Sequence, residues 1–168
     1  LSCTIIRPAN VIGPGSVWVR DALETYYRAV VPLIKGGDFS ASLLYVENLV
    51  DGIMLASTKE EGTGQCFNFR DSWQVTWKRY LTDLGAFIGK RPKIHLPFGA
   101  AWFLAGIQEK ACQPFGIRPP MTRMALGITG KDNDVSTEKA QRLLGWKTRI
   151  SYEEAMQSIE AWVRDCYL

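Results

Sequence analysis

The chain has 168 residues, of which 46% are hydrophobic, so its length and composition allow one globular domain with a sizeable core. Its formal net charge is +3 with acids and bases interspersed, which argues against a basic surface for nucleic acid. One histidine and four scattered cysteines give no metal-binding spacing, so no metal site is predicted. The cysteines are expected to be reduced thiols of a cytoplasmic protein.

In chain order, apolar runs and helical periodicities predict few strands and many helices. The predicted strands are 3–6, 43–46 and 65–69. The predicted helices are 20–34, kinked or ended at Pro32; 48–57; 77–88, capped by Thr76; 99–115, after an extended connector at 92–97; one capped by Ser136; and one opened by a Ser151/Glu154 capping box. Strands so short and distant make a poor independent sheet, which predicts the tail of an α/β domain with a small helical lobe.

Four stretches carry the most specific signal: "RPANVIGPG", "LLYVENLVDGIMLAS", "GQCFNFRDSWQVTWKRYLTDLGAFIGKRP" and "DVSTEKAQRLLGWKTRISYEEAMQSIEAWVRD". Their order and spacing resemble the C-terminal half of an extended short-chain dehydrogenase/reductase. The phrases "YVEN", "IHLP" and "RPPMTRMALG" are most similar to the 3β-hydroxysteroid dehydrogenase and sterol-4-carboxylate dehydrogenase group. The resemblance implies an α/β fold: the C-terminal part of an extended Rossmann-type, doubly wound fold, with few short strands and a mostly helical substrate-binding lobe.

That family's glycine-rich dinucleotide turn and its catalytic YxxxK motif have no counterpart in the sequence. The resemblance therefore implies that residues 1–168 are the substrate-binding half of such an enzyme and that the dinucleotide-binding N-terminal part is absent. The parent would be an oxidoreductase that uses NAD or NADP on a secondary alcohol or ketone. Whether the chain alone is an enzyme stays open, and the sequence decides neither the cofactor nor the reaction direction.

The end of the first strand and the turn after it supply most of the predicted site. By the resemblance, the cofactor-binding residues that would border the nicotinamide and its carboxamide are Pro8, Ala9, Asn10 and Val11. The residues that would face the substrate are Asn10, Ile12, Gly13 and Tyr45. Two alternatives stay open: Asn10 bonds within its own turn, or Tyr45 is simply part of the core. No catalytic or metal-binding residue is assigned.

The segment before "YVEN" bears on the substrate. Relatives that act on nucleotide sugars usually carry a phosphate-binding arginine there, but Phe39 to Val46 contains no arginine or lysine. This favours a small apolar substrate of steroid-like or long-chain type. The alternatives are a nucleotide-sugar epimerase or dehydratase portion and a non-catalytic binding module. Glu47 and Asn48 are expected to cap the helix that follows.

The short strands also bear on partners. The first strand is expected to expose unpaired backbone groups along one edge, and the helices at 48–57 and 77–88 are expected to leave part of their apolar faces uncovered. The missing N-terminal half or a second copy is therefore predicted to cover these surfaces. The apolar helix at 99–115 is interpreted first as core and second as a pocket wall. Membrane contact is not expected, because this helix lacks a strong basic face.

Overall fold

The structure, a computed structural model, describes residues 3–28, 30–117, 119 and 121–168. The chain divides into two compact units, each assembled from segments that are distant in sequence. Unit 1 comprises residues 1–20, 42–75 and 134–168, and unit 2 comprises residues 21–41 and 76–133.

The strands are short and the helices dominate. The strands are β1 (Ile5–Pro8), β2 (Asn10–Ile12), β3 (Pro32–Ile34), β4 (Leu43–Tyr45), β5 (Cys66–Phe69) and β6 (Ile94–Leu96). The helices are α1 (Val17–Arg28), α2 (Val46–Thr58), α3 (Trp77–Phe87), α4 (Phe98–Cys112), α5 (Arg123–Thr129), α6 (Glu138–Leu144) and α7 (Tyr152–Tyr167), with short 3₁₀ turns at Lys35–Gly37, Glu60–Gly62 and Gln113–Phe115.

Unit 1 contains parallel strand pairs. β1 pairs with β5, from Ile5 opposite Cys66 to Pro8 opposite Phe69. β2 pairs with β4, and Ile12 lies opposite Tyr45 at its end. Because both pairs are parallel, the carboxyl ends of the two strands in each pair lie together, and the candidate site lies at these carboxyl ends.

The core of unit 1 is built on β5. Phe67 and Phe69 are fully buried on one face of the strand, as their alternation in the sequence predicted. Phe69 meets the indole of Trp146 edge-on, with ring centroids 5.1 Å apart. Helices α2 and α6 complete this core through Ala56 and Leu144.

Unit 2 contains the parallel pair of β3 and β6, in which Leu33 lies opposite His95. The apolar stripe of α3 is buried, and the Thr76 hydroxyl accepts the N–H of Arg79, which confirms the predicted cap. Because this stripe is covered, the expected exposure of the 77–88 helix is wrong. A second cluster is formed where α4 and α5 meet the end of β3, around Ala101, Ala105 and Leu126.

The predicted helix over 20–34 is wrong in its second half. α1 ends at Arg28, residue 29 lies outside the described residues, and Pro32 opens β3. The partner of β3 is β6, which lies within the predicted extended connector at 92–97. Pairing with a strand far along the chain decides the structure here, because proline lacks the N–H that a helix interior needs.

The first strand and two caps also differ from the prediction. The strand begins later than predicted, and the supposed "RPAN" turn continues into β2. α2 begins at Val46 with Tyr45 as its N-cap residue, so Glu47 and Asn48 lie in the first turn and cap nothing. The Ser151/Glu154 capping box is confirmed. The N-cap residue of α6 is Thr137 rather than Ser136, although the Ser136 hydroxyl accepts the N–H of Glu138.

Candidate functional site at the strand ends of unit 1

Three of the four predicted substrate residues lie at or just beyond the carboxyl ends of β2 and β4, whereas Asn10 is the first residue of β2 and lies opposite Leu43. Ile12 is fully buried and lies opposite Tyr45, and Gly13 follows directly. A Cβ on Gly13 would lie 2.8 Å from Cγ1 of Val46, so a side chain there would displace the start of α2. Glycine therefore allows the two strand ends to approach each other closely.

The backbone N–H groups of Ala9 and Asn10 are both used within the unit. The N–H of Ala9 donates to the carbonyl of Phe69 at 2.9 Å, and that of Asn10 donates to the carbonyl of Ser42 at 2.9 Å. The resemblance predicts that both residues lie beside the cofactor. Their backbone N–H groups already donate to neighbouring strands and are therefore not available to bind a ligand.

Pro8 and Val11 are in a different position. A parallel ladder engages alternate residues of each strand. Ala9 bonds towards β5 and Asn10 bonds towards β4 on the opposite side, so the same alternation turns the carbonyl of Pro8 to the side of β4 and the N–H of Val11 to the side of β5. Among the described residues no further strand pairs with β1 or β2, so the side of β1 opposite β5 has no partner strand.

Tyr45 is 2% exposed, and its hydroxyl donates to Oε1 of Glu47 at 3.3 Å. Its own N–H donates to Oδ2 of Asp71 at 2.7 Å. This burial favours the alternative in which Tyr45 packs in the core. Contact of Tyr45 with a substrate stays a prediction.

The sequence analysis did not identify Asp71, a buried carboxyl group near the carboxyl ends of the strands. It is fully buried and lies just beyond the end of β5. Its Oδ1 accepts Nδ2 of Asn48 at 2.8 Å and the hydroxyl of Thr148 at 3.0 Å. Burial raises the pKa of this carboxyl above its ordinary value, and the hydrogen bond from the N–H of Tyr45 is the largest effect that opposes the rise.

Asn48 is equally buried and connects α2 to the segment before α7. Its Nδ2 donates to the carbonyl of Ile150 at 3.2 Å, in addition to Asp71. Its Oδ1 accepts the N–H groups of Arg149 and Ile150 at 3.2 and 3.1 Å. Its backbone carbonyl accepts Nε1 of Trp146 at 3.0 Å. Both Asn48 and Asp71 hold the strand ends in place and touch no open surface.

A local signal could have identified Asp71. An acidic residue directly after an alternating strand, in "FNFRD", lies at the carboxyl end of that strand, where parallel strands place polar groups. Ser42, just before β4, carried no such signal. It is buried and adopts a left-handed backbone with φ 46°, which is uncommon for a residue with a side chain.

Two surface cavities lie elsewhere, both in unit 2. One of about 380 Å³ is lined by residues around the end of α4, including Glu109, Lys110 and Arg123. The other, of about 400 Å³, is lined by Tyr26, Val30, Gly89, Lys90, Arg91 and Lys93. No predicted site residue lines either cavity.

Comparison with curated proteins finds relatives along most of the chain, whereas no family model matches it. A ketoreductase of Stigmatella aurantiaca that acts on 4-hydroxy-2-methyl-3-oxo-4-farnesyl-3,4-dihydroquinoline-1-oxide is 27% identical over 160 residues, covering 92% of this chain and 47% of the relative. The decarboxylating sterol-4-alpha-carboxylate 3-dehydrogenase of Mus musculus is 24% identical, covering 90% of this chain and 45% of the relative. The chain spans about half the length of the curated relatives it matches.

Solved structures give the same fold. A UDP-glucose 4-epimerase of Thermotoga maritima, solved with UDP-glucose, matches with a TM-score of 0.66 at 23% identity, covering 98% of this chain and 47% of that one. A UDP-glucuronic acid 4-epimerase of Bacillus cereus, in complex with UDP-glucuronic acid and NAD, matches with a TM-score of 0.63 at 13% identity, covering 98% of this chain and 46% of that one. The resemblance to the extended short-chain dehydrogenase/reductases is confirmed. The fold class, the C-terminal part of an extended Rossmann-type fold, is confirmed with it.

Proposed function

We propose that this chain is the substrate-binding half of an NAD(P)-dependent oxidoreductase that acts on a secondary alcohol or ketone of apolar, steroid-like or long-chain type. The observation that carries the proposal is the character of the segment before α2. No basic residue occurs between Phe39 and Val46, and Leu43, Leu44 and Tyr45 are all buried. A nucleotide sugar needs a cation for its phosphates, and this segment offers none.

The named relatives support the apolar class. The Stigmatella ketoreductase acts on a farnesylated ring compound, and the mouse enzyme acts on a sterol carboxylate. The alternative function is that of a nucleotide-sugar epimerase or dehydratase, which is suggested by the structural neighbours that are named for UDP-sugars. Their identities of 23% and 13% support only the shared fold, so the more similar ketoreductase carries more weight.

We place the nicotinamide, as the resemblance implies, at the junction of β1 and β2. A carboxamide offers an acceptor oxygen and a donor NH₂ group, which suit backbone N–H and C=O groups at such a junction. Asn10, the first residue of β2, has a side chain with both a donor and an acceptor. When bound, the nicotinamide would carry the hydride, while Pro8, Val11 and Asn10 would orient it and Gly13 would allow close approach of the substrate.

A substrate panel tests the proposal with the complete protein that contains this chain. Steroid-like and long-chain alcohols or ketones are expected to turn over in preference to UDP- or GDP-sugars. Turnover of nucleotide sugars without turnover of the apolar compounds would reverse the ranking. Asn10→Ala is expected to lower kcat/KM about tenfold or more, and Asn133→Ala, an exposed asparagine in unit 2, serves as the matched control.

The chain alone is expected to have no dehydrogenase activity and no measurable dinucleotide affinity, because its sequence contains neither a glycine-rich turn nor a YxxxK motif. Titration of NADH into the isolated chain, followed by its fluorescence, measures this directly. Saturable binding at micromolar NADH would contradict the expectation and would favour a stand-alone binding module.

The side of β1 opposite β5 has no partner strand among the described residues and needs a cover, which we propose to be the N-terminal half or a second copy. Ile5 of β1 is 53% exposed, and α2 turns an apolar face formed by Val46, Val50, Ile53 and Met54 to solvent. Light scattering of the isolated chain tests this, since a stable monomer that unfolds cooperatively would show that unit 1 needs no cover. The four cysteines are free thiols, which supports a cytoplasmic location.

A further inference from the structure

The cavity beside Tyr26 brings three cations together with uncharged groups. It measures about 400 Å³, and its lining consists of Lys90, Arg91 and Lys93 with Tyr26, Val30 and Gly89. All six residues belong to unit 2, so the cavity lies within one compact unit. Small-molecule pockets usually measure about 300–1,000 Å³, and this cavity is within that range.

A close backbone approach builds the inner wall of the cavity. A Cβ on Gly85 of α3 would lie 2.6 Å from the carbonyl oxygen of Lys90 and 3.0 Å from the ring of Tyr26, so glycine allows the turn after α3 to pack on this tyrosine. The N–H of Lys90 donates to the Gly85 carbonyl at 2.8 Å. The Tyr26 hydroxyl donates to the Leu81 carbonyl at 2.8 Å and has no second proton to offer an anion. Tyr26 is therefore a wall of the cavity.

Lys90 has a structural role that needs no ligand. Its Nζ donates to the carbonyl of Tyr26 in the last turn of α1 and lies 4.7 Å from the centroid of the Tyr27 ring. Lysine commonly bonds the last carbonyls of a helix in this way. Its positive charge nevertheless stays at the cavity, because neither a carbonyl nor an aromatic ring neutralises it.

Arg91 and Lys93 have no comparable role. Both are exposed, and neither side chain forms a hydrogen bond or an ion pair with another described residue. Together with Lys90 they place three positive charges around one cavity. Like charges repel each other, so a bound anion would stabilise all three.

Among the described residues no carboxylate pairs with these cations. The sequence contains no acidic residue from Leu84 to Gln108. On the helices that border the cavity, the carboxylates of Asp83 and Glu24 lie 3.7 and 3.5 Å from the guanidinium groups of Arg79 and Arg28, respectively. The chain therefore supplies the cavity with positive charge and leaves the negative charge to a ligand.

We propose that this cavity binds a small organic molecule that carries a phosphate group, with the phosphate oxygens on Arg91 and Lys93 and an apolar part against Val30. A guanidinium can donate two parallel hydrogen bonds to a phosphate, and an ammonium adds a compact charge. A phosphate monoester carries about −1.5 to −2 charges at pH 7, so it matches a group of cations better than a single carboxylate does. Val30 is 45% exposed and offers an apolar contact beside the charges.

The site is independent of the proposed oxidoreductase function, because it uses none of the residues at the strand ends of unit 1. The sequence did not predict it. The cavity forms only because α1 ends at Arg28 and the turn after α3 packs on its last turn, whereas apolar spacing predicted one helix over 20–34.

Isothermal titration calorimetry on the complete protein that contains this chain tests the proposal, with phenyl phosphate as the probe. Phenyl phosphate is expected to bind more tightly than benzoate, which has one charge, and more tightly than inorganic phosphate, which lacks the apolar part. Excess NADH occupies any dinucleotide phosphate site elsewhere in the protein. Arg91→Gln/Lys93→Gln is expected to raise the Kd for phenyl phosphate at least about tenfold.

Lys78→Gln/Lys131→Gln is the matched control, because it removes the same charge from two exposed lysines of unit 2 that line neither cavity. At physiological salt it should change the Kd less than about twofold, since distant charges are screened. Far-UV circular dichroism verifies the fold, and Arg91→Glu replaces the double variant if its spectrum changes. Absence of phenyl phosphate binding, or an equal Kd in the cavity and control variants, would overturn the proposal.

Phosphate groups also occur on lipid headgroups. Among the described residues no helix is long and apolar enough to cross a bilayer. Flotation with phosphatidylcholine vesicles that contain phosphatidic acid distinguishes the two sources of phosphate. Binding to these vesicles without binding of phenyl phosphate would overturn the proposal of a soluble ligand. The turnover of the substrate panel does not enter this result, so failure of the phosphate site and failure of the proposed function are seen separately.

Discussion

Asn48→Ala should strongly destabilise unit 1, because Asn48 joins three parts of it through a fully buried amide. The substitution removes the hydrogen bond to the Asp71 carboxylate and leaves the N–H groups of Arg149 and Ile150 without their acceptor. A buried polar group that loses its partner costs about 1–3 kcal/mol, and a carboxylate costs more. Water can reach the 149–150 backbone in part, which reduces its share. The free energy of unfolding is expected to fall by roughly 3–5 kcal/mol.

Urea denaturation followed by circular dichroism measures the change, with Asn133→Ala as the control. The amide of Asn133 also donates to backbone carbonyls, those of Gly127 and Ile128 at 2.9 and 3.0 Å, but it is exposed. Water replaces those partners, so the control should cost no more than about 1 kcal/mol. If the two variants lose similar free energy, burial of the Asn48 amide is not what stabilises unit 1, and the reasoning fails.

Three further outcomes are expected. The Tyr26 hydroxyl donates to the Leu81 carbonyl at 2.8 Å, whereas the buried Tyr80 hydroxyl has no partner among the described residues. Tyr26→Phe should therefore lower the free energy of unfolding by about 1 kcal/mol, and Tyr80→Phe should leave it unchanged or raise it. A destabilisation by Tyr80→Phe as large as that by Tyr26→Phe would contradict this. A Cβ on Gly52 would lie 2.5 Å from the buried ring of Phe69, while one on Gly127 would meet nothing within 4 Å. In a thermal or urea melt, Gly52→Ala should lower the free energy of unfolding by about 1–3 kcal/mol, and Gly127→Ala should raise it by up to about 1 kcal/mol. The pKa of Asp71, followed by NMR, should lie above its ordinary value of 3.8. Since the pKa of Asp71 is raised in the folded state, its contribution to stability is fully present below the unfolded pKa and is lost as pH rises through the folded pKa. A measured pKa below 3.8 would show that the hydrogen bonds of Asp71 outweigh its burial.

Local patterns predicted local structure well. The Ser151/Glu154 capping box and the Thr76 cap depend on residues three positions apart, and both are confirmed. The alternation of Phe67 and Phe69 likewise needs only the strand period. In contrast, β3 could not be predicted, because β6 stabilises it from a distant part of the chain. Helical spacing of apolar residues gave the wrong result there because tertiary pairing overrides local periodicity.

The candidate site shows the same limit. The resemblance named Ile12 and Tyr45 together as substrate residues, and the structure places them opposite each other, but β2 and its pairing with β4 were not predicted. The roles of Asn48 and Asp71 did not follow, since their partners at Thr148 and Arg149 lie far along the chain. A buried amide or carboxylate within an apolar helix or after a strand acquires its meaning only from the groups that face it in space.

Asp71 also explains why one side of the candidate site is fixed while the other is open. Its carboxylate joins the end of β4, the first turn of α2 and Thr148, so these elements hold the carboxyl ends of β4 and β5 in one arrangement. A neutral asparagine could not replace it, because its NH₂ group would face a donor on at least one of these partners. On the other side, β1 has no partner strand opposite β5 among the described residues. If the proposed function holds, we expect the groups that complete the site to approach from this unpaired side of β1.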